Sequence, residues 1–353
     1  MPTWLKTFIG AIVAIVLLLV FNAMLSRDGF FGIGIDDYNG RLLAFIAINI
    51  ILATSLNLIN GFTGQFSIGH AGFMAVGAYS SAALTVYYGK SLESAFAFLG
   101  ETGAQAAVLI VAIILGAIVA ALAGLLVGIP SLRLKGDYLA IVTLGFAEII
   151  RIVILNIDSV GGATGLTVPG YANFFWVGLF AILTVVIVHN IVKSDMGRAL
   201  VSIREDELAA EAMGVNTTRY KVIAFVISSA FAGIGGVLFA HYNRFLSTND
   251  FGFIRSFEII IMIVLGGMGS MTGAILGAII VTILPELLRQ LPDIQIGATV
   301  FKFADLRLVI FALVLILTMI LRPQGILGTM EIGGLFKRFR REPRMDKNTG
   351  GLK

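Results

Sequence analysis

Apolar residues gather in stretches of about 20, the length that carries a helix across a hydrocarbon core. Their boundaries place spans near 5–25, 41–59, 67–88, 104–129, 137–156, 172–192, 221–241, 254–268, 271–290 and 305–321. The strict alternation of an outer-membrane barrel is absent. The run 254–268 is the weak one: at 1.5 Å per residue it covers about 22 Å, short of a core of about 30 Å. The pattern therefore predicts an all-α, polytopic transmembrane helical bundle of nine or ten spans. The first run, preceded by Lys6 alone and followed by NAMLSRDG rather than an A-x-A site, reads as a retained span and not a signal peptide.

Polar segments between the runs set the orientation. Lys193, Arg198, Arg204, Arg219 and Lys221 crowd one connection, and KRFRREPR (337–344) closes the chain. Basic loops face the cytoplasm, so both belong inside and an even number of crossings separates them. Ten spans satisfy this, with both termini cytoplasmic and the acidic loops 26–40 and 89–103 outside. Residues 1–330 then form the transmembrane domain, carrying the connection 193–221, and 331–353 form a basic cytoplasmic tail.

Small residues mark how the helices meet. Ala112, Gly116, Ala120, Gly124 and Gly128 draw a stripe at four-residue spacing, and Ala232, Gly236 and Ala240 repeat it. Such stripes let backbones approach where no hydrophobic force acts between helices.

Composition sharpens the class: 58% of the 353 residues are hydrophobic and only 13% charged, about half the charge of a soluble domain. Cysteine is absent and the three histidines are scattered, so no thiolate or HExxH-type metal site is expected. The net charge of +4 fits positive-inside loops and gives no case for nucleic acid. No catalytic constellation appears. Gly89-Lys90-Ser91 lacks the glycine that a phosphate-binding loop needs five residues earlier, where Leu84 stands, so ATP hydrolysis by this chain is not expected.

Polar groups at membrane depth carry more. GFTGQFSIGH (61–70) interrupts an apolar region with glycines and with Thr63, Gln65, Ser67 and His70. A broken helix offers free backbone donors and acceptors to a substrate. Asn57, Gly61, Thr63, Gly64, Gln65, Ser67, His70, Thr143 and Glu148 are the candidate pathway residues. Glu148, one turn from Arg151, reads as the sole deep carboxylate. Ser194 to Phe225, charged with both signs and helical in pattern, is long for a connection between spans. Ser194 or Asp195 caps its start and Gly214 marks its end. It reads either as a solvated surface helix or as a docking element.

The segments SLRLKGDYLAIVTLGFAEIIRIVILN (131–156), GGATGL (161–166), MGRALVSIREDELAAEAMGV (196–215), KVIAFVISSAFAGIGGVLFA (221–240), VLGGMGSMTGAILGA (264–278) and LRPQGILG (321–328) resemble, in consistent order, the M-type permeases of branched-chain amino acid ABC importers. The resemblance implies a cytoplasmic coupling helix seated in an ATPase subunit. Ala209, Ala210 and Gly214 fit its Ala-Ala-xxx-Gly pattern, with Arg198, Arg204, Glu205, Asp206 and Glu207 around them. Leu208 stands where importer permeases generally place Glu, and the later Ile-x-Leu-Pro element is missing. It further implies a homologous H-type permease partner, two cytoplasmic ATPase subunits holding ATP and Mg, an extracytoplasmic binding protein, and a place in the prokaryotic cytoplasmic (inner) membrane among its lipids, with no cofactor on this chain. Leucine, isoleucine and valine are the expected cargo. A urea or short-amide importer is the alternative within the family, and an ion-coupled secondary transporter the alternative outside it.

Overall fold

The computed structural model describes residues 37–132 and 137–289, with short pieces of 294–328. The expected span 5–25, most of 305–321, the basic tail and most of the 131–137 connection lie outside the described residues. Ten helices follow one another in the two long described stretches: α1 (Asp37–Asn57), α2 (His70–Ala95), α3 (Gly100–Ser131), α4 (Asp137–Leu155), α5 (Phe174–Lys193), α6 (Asp195–Glu205), α7 (Glu207–Ala212), α8 (Thr217–Asn243), α9 (Phe253–Gly266) and α10 (Met271–Arg289). Five helical segments among the described residues are long and apolar enough to cross a membrane: Tyr38–Phe62, Ala97–Ser131, Tyr138–Leu155, Phe174–Lys193 and Thr217–Asn243. The architecture is the expected all-α, multi-pass membrane bundle.

Helices α2, α3 and α8 pack mutually at the centre, and their small residues explain why. All five members of the α3 stripe are buried, while Ile114, Ile118, Leu122 and Leu126 on the opposite side are more than half exposed. That face has the composition of a lipid-facing surface. Gly77 of α2 lies directly on the backbone of Gly233 in α8, and Gly236 lies on that of Met74, so a Cβ at either Gly77 or Gly236 would enter a neighbouring main chain. Phe73 and Phe225 then meet edge to face, ring centroids 5.5 Å apart, beside the close approach that glycine permits.

Helix α1 packs against α5, α10 and α8, and α9 pairs with α10. Helix α9 is only 14 residues long, about 21 Å, and ends at Gly267 and Gly269, both at positive φ, 118° and 81°. The run expected to be short thus forms a short helix that ends in a glycine turn. At the opposite end, Leu166–Thr167 pairs antiparallel with Phe245–Leu246 and ties the α4–α5 connection to the α8–α9 connection.

Candidate functional site: a knot of broken helices

The interruption expected after the first described span begins later than the glycines suggest. Helix α1 runs into a wide π turn over Leu58–Phe62, and regular helix is lost only from Thr63 to Gly69. A π turn leaves carbonyls without regular partners, and side chains take up that bonding. Thr63 Oγ1 donates to the Leu58 carbonyl at 2.7 Å. Asn60 clamps Ser67 twice, accepting from its amide and donating to its carbonyl, each at 3.1 Å. Thr143 of α4 accepts the Ile68 amide at 3.1 Å. Buried His70 meets Ser55 Oγ at 2.9 Å, and Ser228 of α8 donates to the Ser55 carbonyl at 2.6 Å.

A second interruption, Gly267–Ser270, is stitched onto the first. Asn57 Oδ1 accepts the Gly269 amide at 2.9 Å and its Nδ2 donates to the Ser270 carbonyl at 3.0 Å. Arg204, from the last turn of α6, completes the knot by donating to the Gly61 carbonyl at 3.0 Å. Its stem lies against Gly64 (φ 70°), and its guanidinium lies beside Gly269. Side chains at those two glycines would displace it. The guanidinium also holds Glu205 at 2.6 Å.

Of the proposed pathway residues, Asn57, Gly61, Thr63, Ser67, His70 and Thr143 are therefore buried and internally bonded. Gly64 is exposed and Gln65 half-buried on the surface of the knot. Glu148 stands apart, paired with Arg151 across 2.8 Å on α4.

The long connection folds as two helices rather than one. Ser194 accepts the Gly197 amide at the start of α6. Asp206 interrupts in an extended conformation and caps α7, accepting from Leu208 and Ala209 at 2.9 and 3.0 Å. Helix α7 ends in a Schellman closure: Gly214 donates to the Glu211 carbonyl and Val215 to that of Ala210, with Gly214 at φ 87°. Leu200 of α6 enters a small core with Leu58, Phe62, Val188, Ala224 and Met271, and Lys221 Nζ holds Glu207 at 2.6 Å. Arg198 pairs with Asp195 in the open. On the outward side, Leu208 and Met213 are 71% and 84% exposed, with Ala209 and Gly214 beside them. Ala210 faces in.

Glu148 is not the only carboxylate set within an apolar helix. Glu258 lies on α9, 2.9 Å from Arg255. The shortness of that span draws attention to its length and away from the two charges within it. Sequence reasoning also misses Asn49 and Asn60, because their partners, Thr282 and Arg255 in one case and Ser67 in the other, are fixed by the fold and not by a motif.

The profile of the family described as "Branched-chain amino acid transport system / permease component" matches residues 39–319. The high-affinity branched-chain amino acid transport system permease proteins LivM of Salmonella typhimurium and Escherichia coli are each 34% identical over 316 residues, covering 79% of this chain and 68% of theirs. The LivH permease of E. coli is 32% identical over 139 residues, 39% of this chain and 42% of its own. With the match covering nearly all of the described bundle, the chain belongs to the branched-chain amino acid transport system permease family.

Proposed function

We propose that this chain is the M-type permease of an ATP-driven, binding-protein-dependent importer of leucine, isoleucine and valine in the prokaryotic inner membrane. An H-type permease completes the membrane core, two ATPase subunits bind ATP and Mg beneath it, and a binding protein delivers cargo outside. The chain contributes no chemical step; it contributes a pathway with two conformations. The similarity to both LivM and LivH supports the paired arrangement.

The observation that carries the reading is the bare apolar tip of α7. Leu208 and Met213 protrude from a polar connection between two spanning helices, where an uncovered apolar patch is a protein contact surface. With that tip inserted in an ATPase subunit, the connection 193–221 is cytoplasmic and α6–α7 is the coupling element. Closure of the ATPases moves α6, and Arg204 passes the motion to the joined interruptions at Gly61 and Gly269. The segment 61–70 is thereby an inner gate, with Gln65 and the backbone around Gly64 as its accessible polar atoms.

Co-purification with the ATPase subunits and substrate-dependent, ATP-driven uptake of leucine test this directly. Gly214→Pro should abolish coupling, since proline cannot adopt the left-handed φ that closes α7. Normal coupling in that variant would count heavily against the docking surface. Uptake that persists without ATPase subunits and collapses with a proton ionophore would make the chain a secondary transporter.

A further inference from the structure

We propose that Arg255 and Glu258, backed by Asn49 and Thr282, form a binding site for the two charged ends of an α-amino acid crossing the membrane. Arg255 takes the carboxylate and Glu258 the ammonium. The inference rests on the importer reading and adds to it the residues that recognise the cargo.

Three helices place the cluster at one depth. Counting from the knot that joins Asn57 to Gly269 and Ser270, Asn49 and Glu258 each stand about 12 Å along their helices and Thr282 about 16 Å. With the knot at the cytoplasmic end of the bundle, as the importer reading has it, those heights fall near the middle of a core of about 30 Å. Charged side chains at that level face a bundle interior or a water-filled path. Yet Glu258 is 40% exposed on this chain, and its exposed neighbours on α9 are Ile254 and Phe257. The face is therefore apolar with a single ion pair set into it.

The pair is also preorganised. Arg255 donates to Glu258 at 2.9 Å and to Asn49 Oδ1 at 2.7 Å. Asn49, itself buried, donates to Thr282 Oγ1 at 2.7 Å, and Thr282 donates to the Ala278 carbonyl. Side chains from α1 and α10 thus hold the guanidinium in place, while the carboxylate is the more open of the two. A zwitterion presents the complementary charges. It exchanges with the internal ion pair, carboxylate onto the planar guanidinium fork and ammonium onto Glu258, without leaving an unpaired charge before or after. Ile254 and Phe257 offer an aliphatic side chain its apolar wall. Urea or a short amide has no charges for this exchange.

The complete complex in proteoliposomes provides the test. Glu258→Gln should lower leucine uptake by about tenfold or more. Arg255→Lys should lose less uptake than Arg255→Gln. Because the chain has no cysteine, Phe257→Cys gives a second reading with the ion pair intact. A membrane-impermeant maleimide should label it on this chain, and leucine-loaded binding protein should slow the labelling. Wild-type uptake in Glu258→Gln, or a Phe257→Cys that never labels, overturns the site. A wild-type complex that moves no branched-chain amino acid removes the importer reading itself.

Discussion

Glu207 and Lys221 tie α7 to α8 across 2.6 Å, with unequal exposure: 4% for the lysine side chain and 26% for the glutamate. Glu207→Gln therefore leaves an ammonium buried without its carboxylate. Breaking a buried pair in this way costs about 3–5 kcal/mol, and because water reaches Glu207 the lower end applies, about 3 kcal/mol. Lys221→Met leaves a carboxylate that turns to solvent, at a cost of about 1 kcal/mol or less. The double variant removes both charges and should fall within about 1 kcal/mol of the native chain.

The loss is local, because α7 has six residues and this ion pair joins it to α8 alongside the hydrogen bond that Thr217 donates to Glu211. Amide hydrogen exchange over 207–215 reads it: about 3 kcal/mol corresponds to exchange faster by about 150-fold. The expected order of protection is native, double variant and Lys221→Met close together, then Glu207→Gln far below. A Lys221→Met chain as open as Glu207→Gln would refute the asymmetry, and so would a double variant no better than Glu207→Gln alone.

Asp206→Ala removes two capping bonds and should destabilise α7 by about 1 kcal/mol, seen as a smaller rise in the same exchange. Gly236→Val drives a side chain into the Met74 backbone and should cost about 1–3 kcal/mol or more, with a lowered melting temperature in detergent; an unchanged one would refute the α2–α8 contact. Asn57→Ala unpins the Gly267–Ser270 turn at about 1–3 kcal/mol and should reduce the uptake driven per ATP hydrolysed more than it reduces assembly. Alanine at Gly61 and Gly64 together collides with Asn57, the Gly269 amide and Arg204; full uptake in that variant would make the 61–70 patch an ordinary loop.

The helices and their packing faces were legible because both follow from local pattern. Apolar runs mark the spans, and the Ala112–Gly128 stripe marks the buried side of α3. Ser194 and Gly214 announce helix ends through capping chemistry that one turn of chain contains. The division of the connection at Asp206 is not legible there, since Asp within a charged helical pattern also suits a solvated face. The site is less legible still. Asn57 and Gly269 are distant in sequence and meet only because two interrupted helices end at one level, and Arg204 reads equally well as a surface cation. Glu258 escapes notice because a short apolar run says nothing of which face its charges occupy.

The knot also bears on time. Its parts are a π turn, glycines at positive φ and side-chain hydrogen bonds. Rearranging such parts needs only rotations about single bonds, of the kind that hinge motions complete in microseconds to milliseconds. In the proposed importer, the clock of the transport cycle is then set by nucleotide turnover and cargo delivery, with the gate following both.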